Sequence, residues 1–226
     1  ILASRPATRG DWLLEKNGNA VFALSPDGRH VAAGSLDRQS VSLWDAASRS
    51  LVWETPEPPE ETFRFHAFPS LAFSPDGNQI VFTSDRSGSA RLYTMRADGS
   101  GQRPISRGGG SYTAPAWSPR GDLIAFTKQQ GGRFHIGVMK SDGTGERILS
   151  SSYFEEGPSW APNGRYIAFA RQSPGGDTRL WTVDLSGRVV SQAGYDGRGS
   201  DPAWSGLLDA PPVNLGIGQG ADSCPA

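Results

Sequence analysis

Ala114-Pro115-Ala116-Trp117-Ser118-Pro119-Arg120-Gly121-Asp122-Leu123-Ile124-Ala125-Phe126-Thr127 reads as an apolar strand, a tight turn and a second apolar strand. Proline presets φ for a turn and glycine accepts the positive φ that closes it, so the chain reverses between Trp117 and Leu123. The same phrase recurs at Leu24-Ser25-Pro26-Asp27-Gly28, Phe73-Ser74-Pro75-Asp76-Gly77 and Trp160-Ala161-Pro162-Asn163-Gly164, and it begins again at Trp204-Ser205. The anchors fall at positions 24, 73, 117, 160 and 204, so three of the four intervals are 43 or 44 residues. A strand-and-turn repeat with a period of roughly 40–50 residues is the signature of a β-propeller, one four-stranded blade per repeat.

Working outward, each repeat supplies four short strands. The first runs over about 19–56, with Val21 to Leu24, His30 to Gly34, Val41 to Trp44 and Leu51 to Glu54 as strands a to d. The second covers about 68–106, the third 113–150 and the fourth 157–192. Asp98-Gly99 and Asp142-Gly143 mark the hairpins before strand d, Asp-Gly being a strong hairpin signal. A fifth repeat begins at Asp201-Pro202-Ala203-Trp204-Ser205 and then stops matching. The expected fold is therefore all-β: four full four-stranded blades plus a composite or incomplete fifth. Residues 1–18, with one apolar piece at Trp12-Leu13-Leu14, form an N-terminal segment able to donate a closing strand. Residues 19–206 form the propeller, and 207–226 a Pro/Gly-rich irregular tail. The acidic, Pro-rich stretch 57–66 reads as a solvated connector that lengthens the first interval.

Bulk properties exclude several classes. The 226 residues carry 22 basic and 23 acidic side chains, a net charge of −1, so there is no electrostatic footprint for nucleic acid. One cysteine, Cys224, rules out a disulfide framework within the chain. No apolar run reaches the ~18 residues of a membrane-spanning helix. The first residue is Ile1 and no export signal is readable.

Catalytic constellations are missing. There is no Gly-x-Ser-x-Gly elbow, Walker loop or His-Glu-x-x-His. His30, His66 and His135 are isolated at non-equivalent positions, so no metal site is expected. The Asp-Gly turns lack the spaced carboxylates of a calcium loop, and Gly216-Ile217-Gly218-Gln219-Gly220 has no helix after it to cradle a nucleotide. No cofactor and no enzymatic activity are expected. Most tryptophans sit at strand a or c core positions and read as core.

Residues 67–206 resemble the propeller domain of the TolB family, the periplasmic component of the Tol–Pal envelope system. The resemblance rests on residues 111–129, on Ile136-Gly137-Val138-Met139-Lys140-Ser141-Asp142-Gly143-Thr144-Gly145-Glu146-Arg147-Ile148-Leu149, and on Ser200-Asp201-Pro202-Ala203-Trp204-Ser205. Phe82-Thr83-Ser84-Asp85-Arg86-Ser87-Gly88 fits the wider TolB-like repeat class. The family's preceding α/β domain has no counterpart in this sequence, and its six blades exceed the repeats counted here. The resemblance implies a periplasmic, non-catalytic protein-binding propeller acting in outer-membrane integrity and in envelope constriction during cell division. Its implied partner is a peptidoglycan-associated lipoprotein of Pal type, docking where loops lead into the innermost strands at the channel mouth. Carried onto this sequence, that surface is His66, Phe68, Tyr112, Thr113, Ala114, Glu155, Glu156 and Asp201. The aromatics and His66 are expected to supply contact area, and the acids charge. For any one of them the ordinary reading is a turn cap or strand start; loops converging from several blades favour binding for the set. Two other functions stay open. One is an accessory propeller of a larger enzyme such as a peptidase. The other is an intracellular WD-type scaffold, suggested by Leu43-Trp44-Asp45.

Overall fold

The computed structural model describes residues 20–35, 40–55, 70–173, 175–188, 190–192, 198–200 and 202–204. Within them the chain is all-β. Four antiparallel sheets follow one another, each a meander whose strands pair in chain order. The first holds β1 (Ala20–Leu24), β2 (His30–Ser35), β3 (Ser40–Asp45) and β4 (Leu51–Glu54). The second holds β5 (Leu71–Phe73), β6 (Gln79–Ser84), β7 (Arg91–Arg96) and β8 (Arg103–Pro104). The third holds β9 (Ser111–Trp117), β10 (Leu123–Gln130), β11 (Arg133–Lys140) and β12 (Arg147–Ser152). The fourth holds β13 (Glu155–Trp160), β14 (Tyr166–Gln172), β15 (Thr178–Asp184) and β16 (Val190–Gln192). A four-stranded sheet stands at each of the four full repeats. The connector 57–66, the segment 1–18 and the tail 207–226 lie outside the described residues.

The turn that decided the fold works through its serine. Ser118 Oγ donates to Asp122 Oδ1 at 2.8 Å and accepts the Leu123 amide at 3.2 Å, while Gly121 N–H closes on Ser118 O at 2.9 Å. Ser25 and Ser74 make the same pair of bonds with Asp27 and His30, and with Asp76 and Gln79. The fourth turn has Ala161 in that place and so lacks the serine's pair of bonds; it keeps the backbone closure, Gly164 N–H to Ala161 O at 2.8 Å, and Asn163 Oδ1 accepts the Arg165 amide at 2.9 Å. Ser118→Ala is therefore expected to lose about 1–2 kcal/mol in urea unfolding, since the Leu123 amide loses its partner. Ala161→Ser should recover a fraction of that in the fourth sheet; equal stability of Ser118→Ala and the parent would contradict this account of the turn.

The core lies between sheets. Apolar side chains alternate along each strand, so every sheet has one face for the sheet before it and one for the sheet after. Ile80, Phe82, Tyr93 and Met95 of the second sheet pack on Ala32, Val41 and Leu43 of the first. Ile124, Phe126 and Met139 of the third pack on Val81 and Leu92 of the second. Ile167, Phe169 and Val183 of the fourth pack on Ala125, Ile136 and Val138 of the third. Gly137 makes room for Phe126, whose ring would lie 2.5 Å from a Cβ added there. At the start of this series Leu24 is 62% exposed, whereas its equivalents Phe73, Trp117 and Trp160 are buried against the preceding sheet.

Polar locks tie neighbouring sheets together. Trp53 Nε1 donates to Ala97 O in the next sheet at 2.9 Å. Trp160 Nε1 donates to Ala116 O at 3.0 Å, and Trp204 Nε1 repeats that step onto Ser159 O at 3.1 Å. The start of the fifth repeat thus meets the fourth sheet as the fourth meets the third.

This topology gives the molecule two ends. The Ser-Pro-x-Gly turns and the third-to-fourth strand turns lie at one, here the turn end. The second-to-third strand turns and the crossings from one sheet to the next lie at the other, the crossing end. The first strands β1, β5, β9 and β13 are consecutive neighbours, so their starting residues gather at the crossing end.

At the turn end, the carboxyls of Asp27, Asp76, Asp98, Asp142 and Asp184 accept side-chain hydrogen bonds from Ser25, Ser74, Ser100, Thr144 and Ser186, and these hold them below the usual aspartate range. Asp45 is lowered in the same way by Ser48. A carboxyl more acidic when folded stabilises the fold above its unfolded pKa, and that contribution disappears as pH falls. The urea midpoint is expected to decline below about pH 4, the unfolded aspartate range. A midpoint flat down to pH 2 would contradict the assignment.

Candidate functional site at the strand lead-ins

Residues 112–115 and 155–158, expected as loops ahead of strand a, are already strand. Tyr112 pairs with Lys128 and Thr113 with Thr127; pairing resumes at Ala116 with Ala125. Ala114 and Pro115 therefore face Phe126 alone, a β-bulge. The fourth sheet repeats the device: Glu155 pairs with Arg171 and Glu156 with Ala170, then Ser159 with Ala168. There the bulge is Gly157-Pro158, with Gly157 at φ 65°. In the third sheet Ala114 occupies this place at φ 48°, a conformation that costs a non-glycine residue roughly 1–2 kcal/mol. Its amide is held by Ser70 Oγ of the second sheet at 3.0 Å, and Ser70 Oγ in turn contacts Thr83 Oγ1 at 2.8 Å. The bulge bends the lead-in, and the cross-sheet bond fixes the bend.

The structure divides the expected surface in two. Thr113 and Ala114 are half-buried and Glu156 is exposed, so these three border the surface. Tyr112 and Glu155 are both 0% exposed and present neither contact area nor charge. Tyr112 packs between the second and third sheets beside Leu92, Ile105 and Phe126. Its hydroxyl donates to Glu146, with both carboxylate oxygens within 3.0 Å. Glu146 also takes the Lys128 ammonium at 2.7 Å, and that ammonium lies 4.8 Å from the Tyr112 ring centre. Burial, with the carboxylate beside it, pushes the Tyr112 phenol up. Burial opposes the Lys128 charge, but hydrogen bonds to Glu146 and Tyr112 outweigh it and raise the ammonium.

Glu155 is the counterpart between the third and fourth sheets. Its Oε1 accepts from Arg171 Nε at 2.7 Å and Ser150 Oγ at 2.9 Å. The Arg171 guanidinium lies 4.7 Å from the Trp181 ring centre and 5.5 Å from that of Phe169. His66, Phe68 and Asp201 lie outside the described residues. The partners Glu146, Ser150, Lys128 and Arg171 were not singled out from the sequence. A signal existed: Lys128 and Arg171 both sit two residues after the equivalent phenylalanines of Ile124-Ala125-Phe126 and Ile167-Ala168-Phe169. A cation recurring at the end of an apolar strand implies a buried anion nearby.

Chemically, both networks are ion pairs, and among the described residues Glu155 Oε2 is buried with no hydrogen-bond partner. Each acid is taken up by a cation from its own strand pair or sheet, and the Asp98 and Asp142 carboxylates are spent on the amides of Ser100 and Thr144. Among the described residues no group of three or more His, Cys, Asp or Glu is placed to hold a metal ion. No helix among them is long and apolar enough to cross a membrane.

Four stacked four-stranded meanders with inner strands side by side define a β-propeller. The chain belongs to the TolB beta propeller domain family, whose profile matches residues 15–208. Among solved structures it is similar to TolB from Acinetobacter baumannii, with a TM-score of 0.66 and 21% identity over 80% of this chain and 44% of that one. It is also similar to a putative TolB from Agrobacterium tumefaciens, with a TM-score of 0.60 and 22% identity over 76% of this chain and 60% of the other. Hydrazine synthase of Kuenenia stuttgartiensis shares the fold too, with a TM-score of 0.62 at 17% identity, over 79% of this chain and 55% of the other. The chain thus spans between 44% and 60% of the length of these three structures.

Proposed function

We propose that this chain is a non-catalytic protein-binding propeller of the periplasm, and that its crossing end receives a peptidoglycan-associated lipoprotein of Pal type. In that role it serves the Tol–Pal system, in outer-membrane integrity and envelope constriction at cell division. The observation that carries the reading is the lead-in at Thr113-Ala114: a non-glycine residue held in left-handed backbone by a bond from the neighbouring sheet. Strain of this kind persists where the surroundings over-determine it, and it marks functional sites. Family membership and the gathering of lead-ins from adjacent sheets support the same face.

The direct test uses the purified soluble domain of such a lipoprotein, passed over immobilised chain. Saturable retention at micromolar concentration is expected. Absence of retention at any salt concentration would remove the partner from this account. Relief of strain is tested separately: Ala114→Gly should hold or raise the unfolding free energy by up to about 1 kcal/mol while leaving the fold unchanged. A loss above that would show that Ala114 is not strained.

A further inference from the structure

Among the described residues, the most exposed aromatic at the crossing end is one that the sequence did not single out. Tyr153, on the crossing from β12 to β13, is 78% exposed. The residues on either side of it are held: Ser152 pairs with Phe134 of β11. Ser152 Oγ accepts the Phe154 amide at 3.2 Å, and the Gln172 amide donates to Phe154 O at 3.1 Å. Behind it the Phe154 ring packs on Phe134 with centres 4.9 Å apart. A large aromatic that stays in water on a fixed backbone has little conformational entropy left to lose on binding, which is how interface anchors work. Arg133, exposed, is the first residue of β11 and immediately precedes Phe134. Among the described residues the exposed charges of this end are Arg86, Arg107 and Arg133 against Glu54 and Glu156, with Arg198 paired to Asp177 at 2.7 Å.

We propose that Tyr153, backed by the Phe134–Phe154 pair and flanked by Arg133, is the anchor of the crossing-end interface, and that it fits a protein segment pairing an apolar residue with carboxylates. The inference rests on the protein-binding reading above and sharpens it: the anchor lies beside the lead-ins rather than within them, and the partner's complementary charge is negative.

The probe is a displayed library of short random peptides, panned on the intact chain. Enriched peptides should carry Asp or Glu next to a large apolar residue. Their affinity should fall at least about tenfold on Tyr153→Ser, fall on Arg133→Glu, and weaken with added salt. Tyr153 is solvent-exposed, so Tyr153→Ser should melt as the parent does. No enrichment, basic consensus sequences, or indifference to Tyr153→Ser overturns the proposal. The lipoprotein domain separates the two readings. If it binds the parent and Tyr153→Ser equally, the anchor is wrong and the partner stands. If acidic peptides bind through Tyr153 and the lipoprotein domain does not bind, the anchor stands and the partner falls.

Discussion

Gly143→Ala is expected to be among the most damaging single-methyl changes in the protein, costing about 3 kcal/mol or more. The residue sits at φ 88° in the turn between β11 and β12. A Cβ there would lie 2.1 Å from the carbonyl oxygen of Ile105 and 2.8 Å from its carbon. Ile105 is fully buried between the second and third sheets, so the new methyl meets backbone in a packed interior and the clash cannot relax by a rotamer change. Two costs therefore add: the left-handed penalty of roughly 1–2 kcal/mol and the displacement of one sheet from its neighbour. The equivalent turns give internal controls. Gly187 would meet Leu149 O at 3.2 Å, and Gly99 only the Trp53 ring at 3.1 Å, while Gly28, in the first Ser-Pro-x-Gly turn, has open space at φ 71°. The expected order of loss is Gly143, then Gly187, then Gly28, the last near the φ penalty alone. For a chain of this size the first corresponds to a fall in Tm of about 6–12 °C. Equal losses at Gly143 and Gly28 would show that sheet-to-sheet contact at the turn end is not as described.

Arg171→Met is the second large effect. It leaves the Glu155 carboxylate, 0% exposed, without its cation. Removing one partner of a buried pair costs about 3–5 kcal/mol, far more than the pair's net worth, because the remaining charge stays desolvated. The double variant Arg171→Met with Glu155→Leu should regain most of that loss. The cycle thus separates a buried charge from lost packing on Trp181 and Phe169. Lys128→Met should cost less, because the Glu146 side chain keeps 25% exposure and can be rehydrated. If the double variant is no better than Arg171→Met, packing and not charge is what Arg171 supplies.

The repeat was legible because tryptophan, turn and apolar strand recur at a nearly constant interval, and each copy must bury the same faces. The Ser-Pro-x-Gly phrase led to the turns, and the Asp-Gly pairs to the hairpins. The lead-ins were legible only as positions. Tyr112 and Glu155 read as surface residues because their partners are distant or unremarked: Glu146 lies 34 positions from Tyr112, and Arg171 lies 16 from Glu155. Nothing local in the sequence pairs them; the stacking of sheets does. The bulge was hidden for a related reason. Ala114-Pro115 and Gly157-Pro158 look like strand starts, and only the register shows two residues opposing one. Tyr153 was passed over because exposure is a property of the crossing's geometry and not of its composition.

Calorimetric titration of the lipoprotein's soluble domain into the parent and into variants at each end tests the central claim most directly. Thr113→Ile and Arg133→Glu at the crossing end should weaken binding at least about tenfold. Arg120→Glu and Arg165→Glu, exposed at the turn end, should bind as the parent does. Binding that survives both crossing-end variants, or that is lost with the turn-end pair, would contradict the account.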